Sequence, residues 1–473
     1  GTEQSADLVV FAQPDQPEWH LGAWVSDDDS LLWFYASRNT NNENRLWYQR
    51  LDRPNAQLVP VVRDFSAGSW PIGKIAERVW IKTNLKAPTQ RVMRLELDRP
   101  EPKDWVEVVP QRKETLRSAA VVGGQLLLNY LKDAHAQVER RDLDGKFLGA
   151  LPLPGVGSVW GLGGRVDDPE VFYLFSDFTR PTSIYRLDLK SATSSLYRSP
   201  KVAFDSDAYI TKQVFFHSKD GTRIPMFITH KKGLGTGPHP TLLYGYGGFN
   251  VSLTPGFSVG RAVWLEQGGV YAVPNLRGGG EYGEAWHKAG VKTEKQNVFD
   301  DFIAAAEHLI NSGLTAPSKL AIAGASNGGL LVGASLLQRP DLFAASLPNV
   351  GVMDMLRYHR FTVGKLWASD YGTVDDAAEF KALVAYSPVH NVVKGRAYPA
   401  TLITTADHDD RVVPAHSFKF AAALQYGQGG AAPALIRIET RAGHGAGMAL
   451  SLKMDKLADQ YAFVMYHLGM SAD

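Results

Sequence analysis

A serine between two glycines is the first residue whose surroundings could support catalysis. Ser326 lies in Gly324-Ala325-Ser326-Asn327-Gly328, behind the apolar run KLAIAGA and ahead of the run NGGLLVGASLLQ. A strand that turns sharply into a helix lifts such a hydroxyl above the sheet, and the crowding there favours glycine two residues to either side. The backbone N–H of Asn327 then points to where an oxyanion would form. A small serine that merely eases a tight turn would give the same five residues, so the wider context has to decide.

A carboxylate and a histidine follow the serine along the chain. Asp409 closes the segment ATLITTADHDD, and His444 lies in TRAGHGAG. A neutral imidazole takes the serine proton only if a carboxylate fixes its tautomer and stabilises the imidazolium that forms. These residues predict acyl transfer through a serine nucleophile. Asp407 and Asp410 could serve in place of Asp409, and the residues alone leave that choice open.

Two other motifs have competing interpretations. The carboxylates of DHDD, residues 407–410, could bind a metal ion, but without a second histidine cluster they are more typical of a solvated loop. RGGGEYG satisfies G-x-G-x-x-G with Gly278, Gly280 and Gly283. Its strand does not open a βαβ unit with an acidic residue at the end of the next strand, which a dinucleotide site would need. We therefore predict neither a metal ion nor a cofactor.

The elements that must position these residues come from the second part of the chain, residues 206–473. Short apolar strands there alternate with helical patterns such as NVFDDFIAAAEHLINSG and PAHSFKFAAALQYG, and each strand ends in a polar or glycine-rich loop. This alternation predicts an α/β domain with a parallel sheet. Chemistry in such sheets occurs at the carboxyl ends of the strands, where Ser326, Asp409 and His444 all fall. The order Ser, Asp, His is that of the α/β-hydrolase fold.

The first part of the chain, residues 1–205, is repetitive. RLWYQRLD, RVMRLELD, QVERRDLD and SIYRLDLK align so that Leu51, Leu97, Leu143 and Leu189 fall 46 residues apart, and a second strand-like run precedes each of them. Apolar-polar alternation, aromatic residues and turn signals between the runs indicate β-hairpins. A period in the mid-forties with several strands per unit predicts about four β-propeller blades, with a β-sandwich as the alternative.

Composition restricts the class of partner. The 473 residues include 50 basic and 49 acidic side chains, so no basic excess points to nucleic acid or to a membrane surface. The chain has no cysteine, which excludes thiol catalysis and disulfides. No targeting signal is visible, so we expect a cytoplasmic protein, with a periplasmic or secreted location still open.

Residues 205–473 closely resemble the prolyl oligopeptidase family of serine peptidases, which couples an α/β-hydrolase domain to a β-propeller. The resemblance rests on the stretches KDGTRIPMFITHKKG, LLYGYGGFN, NLRGGGEYGEAWHKAG, GASNGGLLV, GVMDML, ADHDDRVVP and AGHGAG. The first part is similar to the same family in DQPEWHLGAWVSDD and NRLWY.

The resemblance implies a role for each matching position. Ser326 would be the nucleophile, Asp409 the orienting acid and His444 the general base. The Tyr246 hydroxyl would join the Asn327 N–H as an oxyanion donor, and Arg411 would hold a substrate carbonyl. The pocket for proline would be lined by apolar and aromatic residues, namely Phe249, Val352, Trp367, Tyr371 and Val412.

The resemblance implies a serine endopeptidase that cleaves short peptides after proline. Relatives of other specificity would need carboxylates in the pocket or paired glutamates for a substrate amine, whereas the matching positions here are apolar or aromatic. A propeller interaction protein with a degenerate hydrolase domain is the alternative from another class. Family members carry seven blades, so we expect this chain to be the C-terminal piece of a longer protein, with an N-terminal remainder completing the propeller.

Overall fold

The first 200 residues form four sheets of four antiparallel strands each in the computed structural model, which describes residues 2–445 and 447–471. Each sheet follows chain order from one edge to the other. The first two sheets contain β1 Trp19–Val25, β2 Leu31–Arg38, β3 Asn44–Arg50, β4 Val59–Val62, β5 Ser69–Ile75, β6 Arg78–Thr83, β7 Arg91–Glu96 and β8 Val106–Val109. The next two contain β9 Thr115–Val122, β10 Gln125–Lys132, β11 His135–Arg141, β12 Phe147–Ala150, β13 Ser158–Trp160, β14 Glu170–Ser176, β15 Ser183–Asp188 and β16 Thr193–Arg198.

The sequence repeat corresponds to the two central strands of each sheet. The four repeated leucines follow the ends of β3, β7, β11 and β15, and each of these strands pairs antiparallel with the strand before it. The outer strands carry weaker alternation, and the repeat did not predict them. Four hairpins in sequence thus become four complete four-stranded sheets.

The apolar core of this part lies between the faces of successive sheets. One cluster joins Trp33 on β2 with Ile81 on β6, and a second joins Trp80 on β6 with Leu128 on β10. A third joins the remaining pair of sheets. Sheets that pack face to face in sequence order are the arrangement of propeller blades, so the alternative of a two-sheet sandwich is wrong.

The second part is built on one eight-stranded sheet in the order β17-β18-β20-β19-β21-β22-β23-β24. Its strands are β17 Tyr209–His217, β18 Arg223–Lys231, β19 Thr241–Tyr244, β20 Val270–Pro274, β21 Leu320–Ala325, β22 Ala345–Asn349, β23 Ala400–Ala406 and β24 Ala434–Glu439. The last six are parallel, as predicted. The first two strands lie outside the predicted alternation of strands and helices: β17 and β18 form an antiparallel hairpin, and β18 pairs antiparallel with β20.

Helices cover both faces of this sheet, with one apolar cluster on each face. They are α1 Val259–Glu266, α2 Glu284–Lys288, α3 Gln296–Asn311, α4 Asn327–Gln338, α5 Ala368–Tyr371, α6 Ala377–Tyr386, α7 Ala415–Gly427 and α8 Leu450–His467. Because the helices bury the sheet on both sides, β20, β21 and β23 are almost continuously apolar or small. None of the helices in the described ranges has the length and apolar character that crossing a bilayer requires.

Candidate active site

Ser326 occupies a strained turn between β21 and α4. Its φ is 60° and its ψ is −118°, a conformation that a residue with a Cβ rarely adopts. Its backbone N–H donates to the carbonyl of Asn349 at 2.9 Å, which ties the turn to the neighbouring strand. A Cβ on Gly324 would lie 2.3 Å from the carbonyl oxygen of Gly328, and a Cβ on Gly328 would lie 2.6 Å from that of Gly245. The two flanking glycines are therefore required by close backbone contact.

Asp409 and His444 come together beyond the ends of β23 and β24. His444 Nδ1 lies 2.7 Å from Asp409 Oδ2, and the Asp409 side chain is fully buried. The other carboxylate oxygen accepts the backbone N–H groups of Arg411 at 3.0 Å and Val412 at 2.9 Å. These bonds fix the carboxylate, and the carboxylate in turn orients the imidazole.

The other hydrogen bond of a triad, between the serine hydroxyl and the histidine, is not formed in the structure. The hydrogen bonds among the described residues include none between the Ser326 hydroxyl and His444, although both side chains stand on the loops at the carboxyl edge of the sheet. Contacts of this kind often tighten only in the complex with substrate. The role of Ser326 as the partner of His444 stays a prediction at this point.

Two groups at this edge could stabilise an oxyanion. The Asn327 N–H is the first of α4, and Tyr246 follows β19 on the loop that faces the turn at Ser326. Burial, with a smaller contribution from the charge of Asp370, raises the pKa of Tyr246 to about 12. The phenol therefore keeps its proton across the physiological range and can act as a hydrogen-bond donor.

The loop that carries Tyr246, residues 245–250, has an unusual backbone. Gly247, Phe249 and Asn250 have φ values of 63°, 56° and 56°, which is the left-handed region. Two of the three carry a side chain, and this conformation raises the free energy of the folded chain by about 1–3 kcal/mol for each of them. It persists only where the surrounding structure holds the residue in place. We refer to residues 245–250 as the oxyanion loop.

Buried polar side chains hold successive peptide groups of the oxyanion loop. Asn327 Nδ2 donates to the Tyr246 carbonyl at 2.6 Å, and Lys295 Nζ donates to the Gly247 carbonyl at 3.0 Å. Asp370 Oδ2 accepts the N–H of Phe249 at 2.9 Å. These side-chain contacts were not predicted from the sequence, because a lysine within the charged run KTEKQN is typical of a solvated surface.

Lys295 and Asp370 form a buried ion pair beneath the oxyanion loop. Lys295 Nζ lies 3.4 Å from Asp370 Oδ1, and His287 Nε2 lies 3.0 Å from Asp370 Oδ2. Burial alone would raise the pKa of Asp370, but Lys295 and His287 outweigh burial and hold the pKa below its ordinary value. Burial lowers the pKa of Lys295, and Asp370 opposes that shift. Lys295 Nζ thus donates both to Asp370 and to the oxyanion loop, so the pair ties α5 to the loop.

The residues expected to line a proline pocket form an aromatic group beside the oxyanion loop. The rings of Trp367 and Tyr371 are perpendicular, with centroids 6.4 Å apart, and Phe249 meets Tyr371 edge-on at 5.3 Å. Tyr358 stacks on Trp367 at 6.3 Å with 10° between the planes. Tyr371 is buried, whereas Trp367 and Phe249 remain partly exposed, so these two can meet a ligand.

The other expected pocket residues have contrasting environments. Val352 and Val412 are each 1% exposed, so they can only form the floor of a pocket. Arg411 is exposed, which leaves its guanidinium available to a ligand. Of the neighbours that could have replaced Asp409, Asp407 and Asp410 are exposed, and the described hydrogen bonds of His444 reach neither.

Comparisons with known proteins agree for both parts of the chain. Residues 255–471 match the model of the prolyl oligopeptidase family, and residues 1–200 match that of the prolyl oligopeptidase N-terminal beta-propeller domain. A prolyl endopeptidase from Elizabethkingia miricola is 44% identical over 472 residues, which are 99% of this chain and 66% of the relative. One from Elizabethkingia meningoseptica is 44% identical over 100% of this chain and 67% of the relative.

The chain belongs to the prolyl oligopeptidase family. A solved prolyl endopeptidase structure superposes with a TM-score of 0.95 at 43% identity, covering 100% of this chain and 69% of the other. The predicted combination of an α/β-hydrolase domain with a β-propeller is thereby confirmed.

This member of the prolyl oligopeptidase family spans about two thirds of the length of the curated relatives that it matches. The expected N-terminal remainder that would complete the propeller gains no support from the comparisons. The predicted domain boundary at residue 205 falls in the connection between β16 and β17, and it stays a prediction.

Proposed function

We propose that this protein is a serine endopeptidase that hydrolyses short peptides on the carboxyl side of proline. The observation that carries the proposal is the 2.7 Å contact between His444 and a buried Asp409, on the same sheet edge as the strained turn at Ser326. Prolyl endopeptidases at 44% identity support the same reaction. The proposed cytoplasmic location rests on the sequence alone.

In the proposed mechanism, Ser326 Oγ attacks the carbonyl carbon of the proline residue. The His444 imidazole takes the serine proton as the new C–O bond forms, and Asp409 stabilises the resulting imidazolium. The Tyr246 hydroxyl and the Asn327 N–H donate to the oxyanion of the tetrahedral intermediate. His444 then gives its proton to the leaving amine, and water releases the acyl group from Ser326 by the same steps in reverse order.

The specificity part of the proposal rests on ring shape. Proline is a rigid apolar ring without an N–H, so a flat aromatic face and apolar walls of matching width can select it. The partly exposed indole of Trp367 offers such a face, and Val352 and Val412 offer an apolar floor. Arg411 would donate to a carbonyl of the bound peptide. No carboxylate occurs among these residues, which argues against a preference for basic side chains.

Labelling with a serine-reactive phosphonate that carries a prolyl group would test the proposed function. We expect one adduct, located on Ser326 by peptide mass spectrometry, and we expect a peptide with a single internal proline to be cut after it. An interaction protein with a degenerate hydrolase domain would remain unmodified. Labelling of Ser326 without cleavage after proline would support a serine hydrolase and contradict the proposed specificity for proline.

Replacing Trp367 by alanine should narrow the preference for proline. Stacking on the indole is worth roughly 0.5–1.5 kcal/mol beyond area burial, and loss of the pocket wall adds about 1–3 kcal/mol. We therefore expect kcat/KM for a prolyl substrate to fall about 10- to 1,000-fold, and that for the matching alanyl substrate to fall less. A melting curve would identify a variant that loses activity by unfolding. Equal losses on both substrates in a folded variant would show that Trp367 does not determine the preference.

A further inference from the structure

Three buried side chains hold the backbone of the oxyanion loop. Their polar side-chain atoms take no part in the proposed chemistry. Asn327, Lys295 and Asp370 each bond a different peptide group of the loop, at 2.6, 3.0 and 2.9 Å. The three peptide groups follow one another along the chain, from the carbonyl of Tyr246, the proposed oxyanion donor, to the N–H of Phe249. A shift of this backbone would move the Tyr246 hydroxyl with it.

The anchoring side chains have no alternative partner in solvent. Lys295 is 1% exposed and Asp370 is 2% exposed, and a Cβ at Gly248 would lie 2.7 Å from Asn327 Nδ2 and 3.0 Å from Lys295 Nζ. The loop therefore lies directly on these groups. Because such close packing leaves no room for a second arrangement, the ion pair and the carboxamide determine the path of the loop.

The anchors also connect the oxyanion loop to the proposed proline pocket. Asp370 and Tyr371 are consecutive residues of α5, so one short helix supplies both an anchor of the loop and a wall of the pocket. The Tyr371 hydroxyl donates to Asn327 Oδ1 at 3.1 Å, and the Lys295 Nζ lies 5.4 Å from the centroid of the Tyr371 ring. The pocket wall and the oxyanion donor thus share one hydrogen-bonded network.

We infer that the buried Lys295–Asp370 ion pair and the Asn327 carboxamide are positioning groups, which act on the reaction by fixing the Tyr246 hydroxyl where the oxyanion forms. The inference rests on the proposed function, since it assigns these groups a role in the same reaction. Their effect falls on transition-state stabilisation, because an oxyanion donor acts most strongly where the negative charge develops. Substrate binding in the ground state depends on them much less.

Replacement of single anchors gives the first measurement. Lys295→Met removes the donor to Gly247, and Asn327→Ala removes the donor to Tyr246 while it keeps the backbone N–H that faces the oxyanion. We expect kcat for a prolyl peptide to fall about 10- to 100-fold in each variant, with KM changed by less than about threefold. An unchanged kcat in both folded variants would overturn the inference.

A double-mutant cycle with Tyr246→Phe separates positioning from a merely structural role. If the anchors act through the Tyr246 hydroxyl, their replacement should cost less than about threefold in kcat once that hydroxyl is absent. The same factor in both backgrounds would show that Lys295 does not act through Tyr246, and the inference would fail. The activity of the unaltered chain on a prolyl peptide is measured first. Absence of that cleavage would contradict the proposed function, whereas an unexpected result of the cycle in an active chain would contradict only the inference.

One further variant separates a loss of positioning from a loss of stability. Lys295→Met leaves the buried Asp370 without its ammonium partner and will lower Tm, whereas Asn327→Ala leaves the ion pair intact and still tests the inference. Leu309→Ala creates a cavity in α3, the helix that begins directly after Lys295, and serves as the destabilised control. We expect Leu309→Ala to lower Tm with kcat unchanged. A fall in kcat that simply follows Tm across all the variants, Leu309→Ala included, would overturn the positioning role.

Discussion

Replacing Ser326 by alanine is expected to lower kcat on a proline-containing chromogenic peptide by about 10⁶-fold. The variant retains the strained turn, the Asn327 N–H and the pocket, so it loses the nucleophile and little else. Binding of a product-like prolyl peptide, measured by calorimetry, should therefore survive. Retention of more than about a tenth of the activity would exclude Ser326 as the nucleophile, since intact triads lose far more when their serine is removed.

The matched control for this substitution lies on the helix that Ser326 precedes. Ser335 is fully buried in α4, and its hydroxyl has no hydrogen-bond partner among the residues that the structure describes. Ser335→Ala makes the same chemical change within that helix. We expect it to keep kcat and KM, which would attribute the effect at Ser326 to chemistry.

Replacing Asp409 by asparagine is expected to lower kcat by about 10⁴-fold with little change in fold. The side chain keeps its shape, and its oxygen can still accept the N–H groups of Arg411 and Val412. The amide would then turn its NH₂ toward His444 Nδ1, which must become an acceptor. The imidazole proton would move to Nε2, the nitrogen that has to take the serine proton. Measurement of kcat over a range of pH would give the size of this loss, and a melting curve would show whether the variant is folded.

The same experiment decides between Asp409 and its neighbours. Asp407 and Asp410 are exposed, and their replacement by asparagine should leave kcat within about threefold, because exposed charges are weakly coupled to the site. A large loss in Asp410→Asn with activity retained in Asp409→Asn would transfer the role of the orienting acid to Asp410.

Local signals in the sequence predicted the elements with the strongest periodicity. The helix after Ser326 is predicted to the residue, because a glycine-flanked serine marks its start. The hairpin of β17 and β18 was not predicted, although Asp220-Gly221 between alternating apolar runs is a hairpin signal. It precedes the alternation of strands and helices that indicates the parallel strands.

The site was predictable only where its residues belong to a motif. Ser326, Asp409 and His444 each end or follow a strand, so topology brings them to one edge. Lys295 directly precedes α3 and Asp370 lies in α5, and no spacing in the chain indicates that a lysine and an aspartate will be buried together. Interactions of this kind depend on tertiary packing, which local patterns do not encode.

The glycine contacts around Ser326 determine which positions of the protein can change. Because a Cβ at Gly324 or Gly328 would lie 2.3 or 2.6 Å from a backbone oxygen, no larger residue fits there without displacing Ser326 or the loop at Gly245. Natural variation and laboratory selection alike would have to leave this centre as it is. Trp367, in contrast, packs through its ring against the side chains of Tyr358 and Tyr371, and side-chain packing tolerates exchange far better than packed main chain. New substrate preferences should therefore arise by mutation of Trp367, with the turn at Ser326 unaltered.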